Sequence, residues 1–345
     1  MPVTIVVGGQ FGSEGKGKVA HHFAEQTGAR AVVRVGGSNS GHTACDGQGR
    51  RRILRQLPTA ALLPDVTCVL AAGSYIDPAI LLQEIADVDL APERLLIDPN
   101  AVVISETDRA AEAEGDLGAQ IGSTCSGTGA AVAKRITRRS AGDLAGASPE
   151  LQPYVGDVHG LLREVVSDGD RLIVEGTQGF GLSVLHSPYF PHVTSRDTTA
   201  AGALSEVGLS PLDVDDIVLV LRAHPIRVSG NSGPFGSEET DWRTIEKEGG
   251  HSEPLAEYTS VTGRLRRVAR FEPAIVRRAI SANQPTVVVM NHVDYVDAQA
   301  GVTGEMTLKT HRFIHSASHA IGHRIDYVGL GPAALLEANA ATMAA

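Results

Sequence analysis

This 345-residue chain predicts an α/β fold, a single domain built on a mostly parallel, doubly wound sheet. Three observations carry that expectation. Apolar, β-branched runs recur, helical periodicities alternate with them, and most runs end in Gly-rich or polar turns. Runs that are apolar on both faces suit parallel strands covered by helices. In such sheets ligands bind at the turns beyond the carboxyl ends of the strands.

In chain order, Val3–Val7 reads as the first strand and Gly17–Gln26 as the helix after it. Ala31–Val35 and Val66–Ala71 follow as strands, then Pro78–Ala86 as a helix, because its Leu and Ile recur at helical spacing. Ala101–Ile104, Arg171–Val174, Ile217–Leu221 and Thr286–Met290 are further strand candidates, with Gly129–Thr137 and Pro273–Ala282 as helices among them. The polar, Gly-rich stretch Ser229–Gly250 holds the single Trp and reads as a loop elaboration around 229–250. After Pro332 the chain is Ala-rich, which predicts a helix with a frayed end. No repeat or low-complexity tract interrupts residues 1–345, which are expected to form one domain.

Composition narrows the function classes. With 42% hydrophobic and 20% charged residues the chain can bury a sizeable core. A net charge of −10 argues against broad contact with a nucleic-acid backbone. No apolar run reaches the length a membrane helix needs, and the N-terminus lacks a secretory pattern, so a cytoplasmic location is expected. Cys45, Cys68 and Cys125 show no metal-ligand spacing and suit a reducing compartment.

Chemistry enters at Gly8-Gly9-Gln10-Phe11-Gly12-Ser13-Glu14-Gly15-Lys16-Gly17-Lys18, where the first strand ends and a helix begins. Glycines let backbone N–H groups close around phosphate oxygens, and the helix N-terminus adds its dipole. Gly12 through Lys18 fits the GxxxxGK part of a P-loop, but Val19 stands where a hydroxyl normally meets magnesium. The site is therefore P-loop-like. Further on, Ser-Asn-Ser-Gly-His-Thr at 38–43 puts His42 in a polar turn, where an imidazole suits proton donation. Arg264, Arg266 and Arg267 share a hydroxyl-rich loop, and guanidinium forks suit a dicarboxylate. His186 and His192 flank Pro-rich turns without ligand partners and read as structural.

GGQFGSEGKGK, VVRVGGSNSGHT at 32–43, VEGTQG at 174–179, PHVTSRDTTAAG at 191–202, SVTGRLRR at 260–267 and NHVD at 291–294 occur in register over nearly the whole chain. Together they resemble the adenylosuccinate synthetase family, which phosphorylates the six-oxygen of inosinate and displaces the phosphate with aspartate. The resemblance implies catalytic roles for Ser13, Lys16, His42 and Gln178. It implies a triphosphate site at Gly12, Ser13, Glu14, Gly15, Lys16, Gly17, Lys18, Gly41, His42, Thr43, Asn291, Asp294 and Gly331. The purine monophosphate would meet Ser13, Asn39, Thr124, Gln178, Thr194 and Arg264, with Arg138 reaching its 5′-phosphate from the second subunit of a homodimer. Aspartate would meet Thr262, Gly263, Arg264 and Arg266. Magnesium would be held by Ser13 and the carbonyl of Gly41. Segments 36–49 and 258–267 are candidate closing loops, since a 6-phosphoryl intermediate needs shelter from water.

Ser13 departs from the family, which has an aspartate there to take the N1 proton and ligate magnesium. A serine hydroxyl is no equivalent base unaided. It is smaller and neutral, and leaves room beside C2 for an exocyclic amine. Serine here, on a shortened chain, is similar to a bacteriophage branch of the family that joins aspartate to deoxyguanylate, giving N6-succino-2-amino-2′-deoxyadenylate. His292 and Val293 stand where the family has Lys and Leu, and the phage branch implies ATP or dATP as donor, with GTP possible. Three alternatives stay open: a conventional synthetase using IMP and GTP, a P-loop nucleotide switch indifferent to aspartate, and a degenerate pseudoenzyme, against which the retained His42, Lys16, Lys18 and Arg264 count.

Overall fold

The computed structural model describes residues 2–139, 141–259 and 263–338. The first half contains strands β1 (Val3–Gly8), β2 (Ala31–Gly36), β3 (His42–Cys45), β4 (Arg51–Leu54), β5 (Thr67–Ile76), β6 (Leu95–Ile97) and β7 (Val102–Val103). Its helices are α1 (Lys16–Thr27), α2 (Pro78–Asp87), α3 (Glu106–Glu114), α4 (Leu117–Ile121), α5 (Thr128–Ile136) and α6 (Val158–Asp168). Strands β8 (Leu172–Glu175), β9 (Val214–Arg222), β10 (Ile226–Arg227), β11 (Glu239–Thr240), β12 (Arg267–Ala269), β13 (Val287–Asn291), β14 (Tyr327–Leu330) and β15 (Ala334–Glu337) follow. Between them lie helices α7 (Ala200–Val207), α8 (Trp242–Gly249), α9 (Pro273–Asn283), α10 (Ala298–Thr303) and α11 (Leu308–Ile321).

The main sheet runs β15-β14-β13-β9-β1-β8-β2-β5-β6, and only the β14–β15 pairing on this path is antiparallel. The doubly wound, mostly parallel expectation is met. Side-chain alternation explains the two layers. Val3, Ile5 and Val7 of β1 face a core shared with α6, α7, α9 and α11. Val6 faces the opposite core, with Val19, Ala20 and Ala24 of α1. From central β1 the chain builds outward on one side through β8, β2 and β5, and on the other through β9, β13 and β14. The carboxyl ends of β1, β8 and β9 therefore border the crevice where such sheets take ligands.

The Ala-rich C-terminus corrects the sequence expectation. Residues 334–337 form a strand, and residues beyond 338 lie outside those described. Leu336 packs into one core and Leu335 into the other. Covering both faces at the sheet edge outweighs the helical propensity of so short a segment, which could not form a stable helix by itself. Residues 229–250 are more than a loop. They contain β11 and α8, and β11 joins β10 and β12 in a small three-stranded sheet. Trp242 sits buried beneath it with Ile226, Ile245 and Val268. The expected strand at 101–104 shrinks to the two residues of β7, paired with β5. Among the described residues no helix is long and apolar enough to cross a membrane.

Candidate active site

Two clefts open at the carboxyl edge of the sheet. The larger encloses about 400 Å³ and gathers residues from turns after four strands. Phe11, Gly12 and Ser13 follow β1; Asn39 and Gly41 follow β2; Gln178 follows β8; Arg227 and Val228 lie at and beyond β10. Thr124, Thr194 and Arg266 complete the wall, so most residues expected at the purine monophosphate converge here. The smaller cleft, about 270 Å³, is lined by Lys18, His21, His22, Cys45, Asp46 and Pro332.

Gly15 lets the phosphate loop turn into α1. Its φ of +88 is left-handed, and a Cβ there would lie 2.7 Å from Asn291 Nδ2. Glu14, fully buried, accepts from the amides of Gln10 (3.2 Å) and Gly12 (2.7 Å), and Lys16 donates to it at 2.6 Å. Glu14 is thus an anion inside the loop that orders it from within. Asn291 Nδ2 donates to the Glu14 carbonyl at 2.8 Å, tying β13 to the loop. Lys18 donates to the Gly331 carbonyl at 3.1 Å, and burial lowers its pKa to about 8 despite nearby Asp294. Burial raises the pKa of Asp294, whose Oδ1 is buried without a hydrogen-bond partner among the described residues. Lys18 thus lines the smaller cleft with Asp294 and Gly331 near it, while Asn291 reaches the phosphate loop beside Ser13.

His42 opens β3, and its Nδ1 lies 2.5 Å from Glu175 Oε1. The other oxygen of Glu175 accepts from the Thr59 amide and hydroxyl, both at 2.9 Å. Arg34, at 3.9 Å, adds positive charge but spends its own donors on the carbonyls of Leu54, Leu57 and Ser40. Burial raises the Glu175 carboxyl, but the His42 hydrogen bond and nearby positive charge outweigh it, leaving its pKa below the usual range. Burial, reinforced by Arg34 and opposed by Glu175, holds His42 at about 4. The imidazole is neutral near pH 7 and donates a hydrogen bond from Nδ1–H to Glu175. Its Nε2 is buried and has no hydrogen-bond partner among the described residues. Glu175 and Thr59 were not anticipated from sequence; the one available signal is a carboxylate closing an otherwise apolar strand.

Ser13 is exposed to the cavity with φ 57, and Gln178 has φ 66. Cys125, Arg138 and His292 share this left-handed conformation. Ser13 and Gln178 both line the larger cavity, where backbone strain serves function. Glu112 is the sole carboxylate among the described residues lining the larger cavity, and its oxygens are taken by the amides of Gly127 (2.8 Å), Gly129 (2.6 Å) and Ala130 (3.2 Å). Ser13 and Gly41, the residues expected at magnesium, both line the larger cavity. Among the described residues no cluster of His, Cys, Asp and Glu could hold a metal by itself.

Several expected residues stand apart from the larger cavity. Arg264 is exposed on the arginine-bearing loop next to Gly263, and Thr262 lies outside the described residues. Arg138 is exposed just beyond α5. Thr43 sits on β3, which pairs with β4, so part of the expected closing segment 36–49 is a hairpin. His186 stacks on Phe180 at 6.4 Å, and His192 Nδ1 meets the Asn231 carbonyl at 3.1 Å. His192 also lines the larger cavity, which nothing in the sequence marks.

The sequence profile of the adenylosuccinate synthetase family matches residues 5–147 and 141–304. The adenylosuccinate synthetase of Thermococcus onnurineus is 35% identical over 345 residues, covering 96% of each chain. Fully ligated adenylosuccinate synthetase from Plasmodium falciparum superposes with a TM-score of 0.84 at 18% identity, over 96% of this chain and 98% of that one. At that identity the likeness speaks to the fold alone. A succinoaminodeoxyadenylate synthetase of cyanophage S-2L, bound to dGMP and to dATP as an energy donor, superposes with a TM-score of 0.81 at 29% identity, over 98% of this chain and 95% of that one.

Proposed function

The chain belongs to the adenylosuccinate synthetase family of C–N bond-forming ligases, which join aspartate to a purine nucleotide, and from that premise we propose that its acceptor is deoxyguanylate. The observation that carries the proposal is Ser13, exposed at the mouth of the larger cavity with no free carboxylate among the described residues lining it. A small neutral hydroxyl leaves room for the 2-amino group of guanine, where an aspartate would crowd it. The cyanophage relative, bound to dGMP and dATP, supports both this acceptor and an adenine donor. Chain length carries no weight, because the Thermococcus synthetase matches end to end.

In the reaction proposed, the guanine six-oxygen attacks the γ-phosphorus of ATP or dATP and releases the diphosphate. The aspartate amine then attacks C6 and inorganic phosphate leaves, giving N6-succino-2-amino-2′-deoxyadenylate. Phosphoryl transfer rests on positioning and charge neutralisation. Lys16 and Lys18, with the amides of Gly12–Gly17, serve the donor phosphates, while Thr43, Asn291, Asp294 and Gly331 serve the rest of the donor. Ser13 and the Gly41 carbonyl would hold magnesium, which would supply charge neutralisation at the triphosphate. His42, oriented by Glu175, turns Nε2 to the oxygen being phosphorylated. Asn39, Thr124, Gln178, Thr194 and Arg264 hold the monophosphate, and Arg138 reaches it from a second copy of the chain. Thr262, Gly263, Arg264 and Arg266 clamp aspartate. Ser13 relays the N1 proton to water or to a phosphate oxygen.

A second reading, a conventional synthetase on IMP and GTP, is favoured by the names of the archaeal relatives. Aspartate-dependent phosphate release separates the two, measured with magnesium on IMP, GMP and dGMP, each with ATP, dATP and GTP. Turnover of dGMP without IMP is the expected result. Turnover of IMP alone would replace our reading with the conventional one.

A further inference from the structure

Arg222, at the end of β9, is wholly buried, although a buried charge is retained only where specific partners hold it. Its guanidinium reaches in two directions. Nη1 donates to the Ser13 carbonyl at 2.9 Å, and both terminal nitrogens meet the Glu257 carboxylate. Its backbone is fixed by the Gln10 side chain, which accepts from the Arg222 amide at 2.8 Å and donates to its carbonyl at 3.2 Å. Glu257 begins the arginine-bearing loop. Its carboxylate also accepts from the Tyr295 hydroxyl at 3.0 Å, and its carbonyl accepts from the Arg266 amide at 2.8 Å. The loop stem is closed by the bridge between Tyr258 and Leu265 and by Trp242, whose indole donates to the Arg266 carbonyl at 2.8 Å. Ser13, Arg222, Glu257 and Arg266 thus form one continuous chain of bonds, and both its ends line the larger cavity.

We propose that Arg222 is a positioning residue that couples the phosphate loop to the arginine-bearing loop, so that the left-handed backbone at Ser13 and the placement of Arg266 depend on one another. The proposal rests on the deoxyguanylate–aspartate reading for what the two ends contact, but the coupling itself is a property of the free protein. A planar fork can hold a carbonyl and a carboxylate at once, whereas an ammonium serves as a single point of charge. The bond network supplies the path, and the coupling has to be measured.

The test begins with amide hydrogen exchange on the ligand-free protein. Glu257→Gln removes the charge, and Glu257→Asp keeps it while shortening the reach, guarding against a variant that fails to fold. Both should speed exchange at residues 12–15 as well as at 257–266, Glu257→Asp less than Glu257→Gln. Exchange altered only near residue 257 would overturn the coupling, whatever the enzyme's substrate proves to be. Kinetics give the second readout. KM for aspartate and for dGMP should both rise, aspartate by about tenfold, with kcat within about threefold. A fall in kcat with both KM values unchanged would also overturn it. Arg222→Lys, which keeps the charge and loses the fork, should reproduce the double KM effect; a fully active Arg222→Lys would refute the need for a two-way reach. Wild-type protein lacking aspartate-dependent turnover would refute the functional reading and leave the exchange result to decide the coupling.

Discussion

Replacing Glu175 by glutamine isolates what the buried carboxylate does for His42, because the substitution keeps shape and volume. In the wild type the carboxylate accepts from His42 Nδ1 and, on its other oxygen, twice from Thr59. Glutamine would keep its carbonyl oxygen on the Thr59 side and turn its amide nitrogen to the imidazole. Nδ1 then becomes an acceptor and the proton moves to Nε2. Arg34 is not stranded, since three backbone carbonyls already hold it. The magnitude follows from the imidazole's acidity. With a pKa of about 4, roughly one His42 in a thousand is protonated at pH 7, three units above. Wild-type His42 can donate from Nε2 only as the imidazolium, which the arriving phosphates and Glu175 must stabilise together. A charge-assisted bond to a carboxylate contributes about 1.5–3 kcal/mol, so its loss should lower kcat roughly ten- to hundredfold. The wild-type kcat should also fall as pH rises through the pKa of His42 in the complex. That alkaline limb should vanish in Glu175→Gln, where Nε2 carries its proton at any pH. The assay is phosphate release from pH 5.5 to 9, with nitrogen-15 imidazole shifts reporting the tautomer. An unchanged kcat, or an alkaline limb retained with the Nδ1–H tautomer, would refute the reasoning.

Ser13→Ala should lower turnover of dGMP if the hydroxyl relays the N1 proton, and undiminished turnover would sink the relay; Ser13→Asp should move preference from dGMP towards IMP, read as the ratio of kcat/KM values. Acid should destabilise the fold through its buried imidazoles. Burial lowers His42 and His224 to about 4, well under their unfolded value of about 6.5. Their neutral folded forms bind fewer protons than the unfolded chain between these limits, so stability present above pH 6.5 is lost as pH falls towards 4. His292, lowered by burial to about 3, acts in the same direction, and the three groups give a slope of up to about 4 kcal/mol per pH unit near pH 5; equal denaturant midpoints at pH 7 and pH 5 would contradict this. Gly15→Ala places a Cβ 2.7 Å from Asn291 Nδ2 at φ +88, and should destabilise by about 1–3 kcal/mol while raising KM for the triphosphate. A melting temperature and KM equal to those of the wild type would show that the loop accommodates the methyl group.

The chain's periodicities determined the alternating α/β class, the strand before the phosphate loop and the helix after it, since these depend on residues adjacent in sequence. They also marked the Gly-rich turns and polar clusters that converge on the larger cavity, because each turn needs its own residue types locally. Tertiary packing decided the rest. Whether 334–337 became helix or strand depended on the open edge of β14, which lies outside that segment and overrode the helical propensity of its residues. The pairing of Glu175 with His42 and of Arg222 with Glu257 joins residues 133 and 35 positions apart. A carboxylate or guanidinium finds its partner only after the sheet order has set β8 beside β2 and β9 beside β1. The protonation state of His42 likewise follows from burial, which exists only in the folded chain.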